Sequence, residues 1–209
     1  MAIKRALSLS EIRAFRPETL PFADEWLASL GCPELTGSWI IYGLSANGKT
    51  RFALQLARYL ATFTKVAYNS LEEGLSKSMQ AAILDIGMEN VKRNFLLLDK
   101  EPIPELRERL RRKNSPKVIF IDSLQYTGMS YTDYRELRDE FRNKLFIFIS
   151  HADGREPKGN VAKSIKFDAN IKIPIQGYKA TPQSRYGGGA DYIIWQKGYD
   201  EVWGYGSQG

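Results

Sequence analysis

A mainly parallel β-sheet covered by helices on both faces is the fold class this sequence predicts, and three features predict it. Short apolar runs alternate with helical patterns from residue 36 onward. Runs such as Val118-Ile119-Phe120-Ile121 and Leu145-Phe146-Ile147-Phe148-Ile149 are apolar at every position, as strands buried on both faces must be. A glycine-bearing octapeptide, Gly43–Thr50, joins the first run to the first helical pattern.

Residues 1–35 read as an irregular arm with a short amphipathic helix around Phe22–Leu30, stopped by Gly31 and Pro33, ahead of a core at 36–209. Ser38–Tyr42 reads as a buried strand and Lys49–Thr62 as a helix carrying Phe52, Leu54, Leu56, Ala57 and Leu60. Lys65–Asn69 and Asn94–Asp99 are strands separated by a helix over Leu75–Gly87. A helix over Ile103–Lys113 begins after Pro102. Lys117–Asp122 and Leu145–Ser150 are strands flanking a helix around Tyr134–Arg142. Asp153–Lys166, with Gly154, Pro157 and Gly159, reads as a long flexible loop. Asn170–Gln176 alternates with Ile171, Ile173 and Ile175 on one face, and Tyr192–Gln196 follows a Gly187–Gly189 turn. Both read as antiparallel strands added at the sheet edge near the C-terminus. The Gly204–Gly209 tail is expected to fray.

Composition removes several function classes. The single Cys32 forbids an internal disulfide, and with His151 as the lone histidine no Cys- or His-based metal site can be built. No run approaches the roughly 20 apolar residues of a membrane span, and Met1–Ser10 lacks the apolar core of a signal peptide, so a cytoplasmic location is expected. The net charge of +6 favours polyanionic partners. Much of the excess lies in Arg107, Arg109, Arg111, Arg112, Lys113 and Lys117, which reads first as a solvated helix end and second as a nucleic-acid patch.

Gly43-Leu44-Ser45-Ala46-Asn47-Gly48-Lys49-Thr50 satisfies the phosphate-loop pattern G-x-x-x-x-G-K-[ST] at every specified position. Glycines let successive backbone N–H groups curl around a phosphate, and the following helix turns its positive end to the anion. Lys49 reaches the β- and γ-phosphates, and the Thr50 hydroxyl ligates magnesium. ATP and Mg2+ are therefore the expected ligands. Asp122, at the end of an apolar strand, suits support of that magnesium, although an Asp there also serves as a turn or helix cap. Ser123 stands beside it in place of a glutamate. Glu72 and Glu73 follow the Lys65–Asn69 strand and supply the missing carboxylate, with Glu72 preferred for orienting the attacking water. An acidic pair at a helix start also has a purely electrostatic use.

These residues resemble the RecA-like P-loop ATPases, closest to the RadA and DnaB-type helicase branch and its phage or mobile-element relatives. The resemblance spans about residues 36–197 and rests on four motifs. They are Gly43–Thr50, Ser70-Leu71-Glu72, Ile121-Asp122-Ser123-Leu124-Gln125 and Ser184-Arg185-Tyr186-Gly187. It implies a RecA-like sheet with the Lys65–Asn69 strand beside the phosphate loop, and nucleotide contacts from Gly43 through Thr50, Arg51 and His151. It also implies Arg185 as an arginine finger reaching across a homo-oligomeric ring or filament. A strand-end histidine and a surface arginine remain the alternatives at positions 151 and 185. Gln183 and Ser184 depart from the family's lysine and asparagine, with Lys179 the nearest replacement. The chain carries no four-cysteine zinc module and no protease-like domain, so an ATPase core is expected and not a complete RadA protein or replicative helicase.

In that family the loops after the Asp122 strand and the next strand bind DNA, single- or double-stranded. Here they are Tyr126–Tyr134, with Tyr126, Tyr131 and Tyr134, and Asp153–Lys166, with Arg155, Lys158, Lys163 and Lys166. Aromatic faces with cations suit single strands. The competing readings are a P-loop kinase, for which Arg107–Arg112 is the one dense lid candidate, and a nucleotide-gated protein-binding switch.

Overall fold

The computed structural model describes residues 5–204, so the tail beyond Gly204 and the first four residues of the arm lie outside the described residues. Helices α1 (Leu9–Ala14) and α2 (Asp24–Leu30) precede strand β1 (Gly37–Gly43). Then come α3 (Lys49–Leu60), β2 (Val66–Ser70), α4 (Lys77–Asp85), β3 (Phe95–Asp99), α5 (Ile103–Arg111), β4 (Val118–Asp122), α6 (Tyr131–Glu140) and β5 (Leu145–Asp153). The last quarter holds β6 (Glu156–Pro157), α7 (Asn160–Asp168), β7 (Ile171–Gln176), β8 (Lys179–Ala180), β9 (Gln183–Ser184), β10 (Tyr192–Ile193) and α8 (Gln196–Trp203).

The sheet runs β10-β8-β7-β1-β5-β4-β2-β3. All neighbours from β7 to β3 are parallel, and β8 and β10 close one edge antiparallel. The continuous apolar runs follow from the two covered faces. Trp39, Ile41, Tyr68, Phe120, Ile147 and Ile149 meet α2 and α3 on one side. Ile40, Tyr42, Ile119, Ile121, Phe146 and Phe148 meet α5, α6 and α7 on the other. Successive side chains point oppositely along a strand, so each run serves both cores.

Three expectations need correction. Ile171–Gln176 is parallel to β1, with Ile171 beside Trp39, and is not an antiparallel edge strand. The reason lies in the second correction. The supposed flexible loop Asp153–Lys166 contains β6 and most of α7, whose Ala162 and Ile165 are buried at helical spacing, and this helix carries the chain back for a parallel return. Third, β2 does not neighbour β1, because β5 and β4 lie between them. At the C-terminal edge only Tyr192–Ile193 is strand, and Gln196 already begins α8.

The N-terminal segment has two characters. Helix α1 buries no side chain. Leu20, Phe22, Trp26, Leu30 and Leu35 all enter the core that contains α3, with Trp26 stacked between Tyr59 and Tyr192.

Candidate nucleotide site

The carboxyl ends of β1, β2, β4 and β5 and the Gly177–Tyr178 turn enclose a cavity of about 350 Å³. It is lined by Ser45, Ala46, Gly48, Lys49, Thr50, Arg51, Glu72, Glu73, Asp122, Ser123, His151 and Tyr178. Two motif glycines are required by contact. A Cβ on Gly43 would stand 2.3 Å from the Ile175 carbonyl oxygen. Gly48 has φ +95°, and a Cβ there would stand 2.9 Å from Tyr178 Cδ1. Gly48 caps α3, so the helix's unpaired N–H groups open into the cavity.

Lys49 donates to the Leu44 carbonyl oxygen at 2.8 Å. Partial burial holds its ammonium below the usual lysine range, while Asp122 and Glu72 pull the other way. Asp122 is buried, and this desolvation raises its carboxyl to about 6 despite a 2.6 Å hydrogen bond donated by the Tyr68 hydroxyl. Glu72 and Glu73 push it up further and Lys49 pulls it down. Tyr68 itself is fully buried, and that burial raises its phenol well above its ordinary value, so it stays a donor.

Glu72 reaches the cavity by a route the sheet order did not suggest. The chain leaving β2 folds over β4, with the Leu71 and Glu72 N–H groups donating to the Asp122 carbonyl at 2.5 and 3.2 Å. Glu72 Oε2 then lies 3.1 Å from His151 Nε2. Glu73 faces the start of α4, where it accepts from Ser76 and Ser78 at 3.2 and 2.8 Å. Gln125 ties the neighbouring loops together, accepting from the His151 N–H at 3.2 Å and donating to Ser150 Oγ and the Lys158 carbonyl. Arg51 lines the cavity and pairs with Asp85 at 2.7 Å.

Thr50, Asp122 and Glu72 provide oxygen donors only, and the buried Ser123 Oγ has no hydrogen-bond partner among the described residues. Among those residues no three ligating side chains cluster there to hold a metal unaided. That set fits magnesium, which usually takes one or two protein oxygens and completes its shell with phosphate and water.

Arg185 is exposed and stands elsewhere. Its N–H bonds the Asn170 carbonyl, and Asn170 pairs with Ser38 at the amino end of β1. Gly43 is five residues further along that strand, about 17 Å away at strand rise. Within one chain the arginine and the phosphate loop are therefore at opposite ends of the sheet. Lys179 pairs with Asp191. Two site residues escaped the sequence reading. Tyr68 was visible as a hydroxyl-bearing residue in an apolar strand, whereas nothing local marks Tyr178, which lies 130 residues beyond Gly48.

The surface residues expected to meet DNA divide. Tyr134 is fully buried and hydrogen-bonds Ser38 Oγ at 2.8 Å, and Lys166 is paired with Glu156. Tyr126 and Tyr131 remain exposed, the latter donating to Asp168 of α7, and so does Phe167 on α7 at 81%, a residue the sequence reading passed over. Arg107 and Arg111 share Glu140, and Arg109 holds Glu101.

No family model and no curated protein sequence matches the chain. Solved structures match in fold. The flagellar accessory protein FlaH from Methanocaldococcus jannaschii superposes with a TM-score of 0.59 at 15% identity, covering 85% of this chain and 94% of that one. NeqB, an ATP synthase subunit from Nanoarcheaum equitans, gives 0.55 at 12% identity, covering 76% of this chain and 50% of NeqB, so the chain spans half of NeqB's length. A third structure, described as an ATPase domain, gives 0.53 at 15% identity, covering 78% of this chain and 83% of that domain. What these structures share with this chain is the fold, a RecA-like, mostly parallel sheet flanked by helices. Among the described residues no helix is long and apolar enough to cross a membrane.

Proposed function

We propose that this protein is a cytoplasmic ATPase that binds ATP with magnesium at Gly43–Thr50, hydrolyses it, and acts on DNA in a helicase-, recombinase- or loader-like role. The observation that supports this most is the convergence on one cavity of Lys49 and Thr50 from the start of α3 with Glu72, Asp122 and His151 from three strand ends. In this reading the loop N–H groups and Lys49 hold the β- and γ-phosphates, and Thr50 with Asp122 holds the cation. Asp122 is anionic at neutral pH, as that task requires. Magnesium, when bound, neutralises charge on the β- and γ-oxygens. Glu72 orients a water in line with the γ-phosphorus and takes its proton as the bond to the bridging oxygen breaks. His151 senses the γ-phosphate in this reading, and its contact with Glu72 at 3.1 Å supports that role. Glu72 is preferred over Glu73 because the latter is engaged with Ser76 and Ser78.

For DNA, Tyr126, Tyr131 and Phe167 offer stacking faces and Arg155, Lys158 and Lys163 offer charge. Arg185 acts only across a subunit boundary, on the nucleotide of a neighbouring copy. A kinase reading has less support, since Arg107, Arg109 and Arg111 are held by carboxylates, and Arg107 and Arg111 line a different cavity.

The test is ATP turnover by the full chain with and without single-stranded DNA, beside Lys49→Ala and Glu72→Gln. Turnover that rises with DNA and disappears in both variants is the expected result. Turnover indifferent to DNA would move the role toward a nucleotide-gated switch for a protein partner, and absence of turnover would sink the hydrolytic assignment.

A further inference from the structure

The phosphate loop is fastened from outside itself. Asn47 occupies a position the motif leaves unspecified, yet its Oδ1 accepts the Gly177 N–H at 2.7 Å and its carbonyl accepts the Tyr178 N–H at 3.2 Å. Its Nδ2 donates to the Ser45 carbonyl at 2.9 Å, closing the loop around Ala46 at φ 60°. That left-handed conformation is disfavoured for a residue with a Cβ, so it needs support from its surroundings.

The support continues through the turn to the last helix. On its far side Trp203 Nε1 donates to the Gly177 carbonyl at 3.1 Å. The fit there is tight, since a Cβ on Gly177 would stand 2.6 Å from Trp203 Nε1 and 2.7 Å from Val202 Cγ1. The Tyr178 ring lies against Gly48 on one side and meets the edge of Trp195 at 5.1 Å between centroids. The Gly177–Tyr178 turn is thus a thin wedge between the phosphate loop and α8. Trp203 and Val202 of α8 both bear on Gly177, so a displacement of α8 is passed to the loop through this wedge.

We infer that Trp203 is a positioning residue for the phosphate loop: through the Gly177–Tyr178 turn and Asn47, α8 sets how tightly the loop holds a triphosphate. The inference rests on the nucleotide reading above.

The test compares the full chain with Trp203→Phe, which keeps a ring and loses the N–H, and Gly177→Ala, which drives a methyl into the wedge. A fluorescent ATP analogue with magnesium is titrated into each, alongside steady-state turnover and the thermal midpoint of the nucleotide-free proteins. Trp203→Phe is expected to raise Kd roughly 3- to 10-fold, the range of one net hydrogen bond, and Gly177→Ala to raise it more. KM should rise further than kcat falls, while the midpoint of Trp203→Phe stays within about 3 °C of the unaltered protein. Unchanged affinity in both variants overturns the inference. So does a Kd that worsens only in step with the thermal midpoint, which marks general loosening. If the unaltered protein binds no nucleotide, the reading of the site fails and this inference with it. If the unaltered protein binds and the variants bind equally well, only the inference fails.

Discussion

The carboxyl ends of β1, β2, β4 and β5 and the last quarter of the chain meet at one cavity, but they are encoded differently. In the first region chemistry follows strand ends: Gly43 closes β1, Glu72 follows β2, Asp122 closes β4 and His151 lies near the end of β5. Parallel strands bring their carboxyl ends to one rim, so residues remote in sequence converge once the strands are recognised. In the last quarter, short strands change direction repeatedly, and a helix took the place of an expected loop. There, β7 brings the Gly177–Tyr178 turn to the same rim, but the grip on the loop itself comes from single hydrogen bonds such as Gly177 to Asn47. The difference teaches that a parallel sheet transmits site geometry through periodicity, while an irregular segment transmits it through contacts no pattern announces.

Five variants break or sharpen that comparison. The largest effects belong to the strand ends. Lys49→Ala should lower turnover by on the order of 10²- to 10³-fold, as loss of a charge on the transferring phosphate does. Glu72→Gln should lower it by roughly 10²- to 10⁴-fold with ATP affinity retained, read by steady-state turnover and binding titration. Equal losses in Glu72→Gln and Glu73→Gln would remove the distinction between the two carboxylates.

Asp122 comes next. Its carboxyl titrates at about 6 in the fold against an ordinary value of 3.8, so the native state holds the proton more tightly. Such a group contributes stability that is fully present below 3.8 and lost as pH rises through about 6. Asp122→Asn should therefore stabilise the nucleotide-free protein by about 3 kcal/mol at pH 8 and by almost nothing near pH 3.5, as measured by urea unfolding. A variant no more stable than the original at pH 8 would contradict the account of this carboxylate.

A smaller effect is expected on the face proposed to meet nucleic acid. Phe167→Ala should weaken single-strand binding roughly tenfold, within the 1–3 kcal/mol of one stacked base, as read by fluorescence anisotropy. Unaltered binding would return the exposed phenylalanine to the status of a surface residue. The smallest concerns Glu73→Gln, which should leave turnover within about twofold and cost only the 0.3–1 kcal/mol of a charge at a helix start. A large drop in turnover would show that Glu73 enters the chemistry.

The sequence by itself determined the parallel covered sheet, the phosphate loop, the carboxylate ending β4 and the acidic pair after β2. Each is carried by residues within a few positions of one another, where apolar periodicity and motif spacing act directly. Only the tertiary structure decided that Tyr68 hydrogen-bonds Asp122, that Glu72 faces His151 while Glu73 faces α4, and that Tyr134 is buried against Ser38. It alone also set Arg185 at the far end of the sheet and Asn47 under the Gly177–Tyr178 turn. Most of those outcomes depend on strand order and long-range packing: Tyr68 and Asp122, Ser38 and Tyr134, and Asn47 and Gly177 are 54, 96 and 130 positions apart, and local propensity contains no term for such pairs.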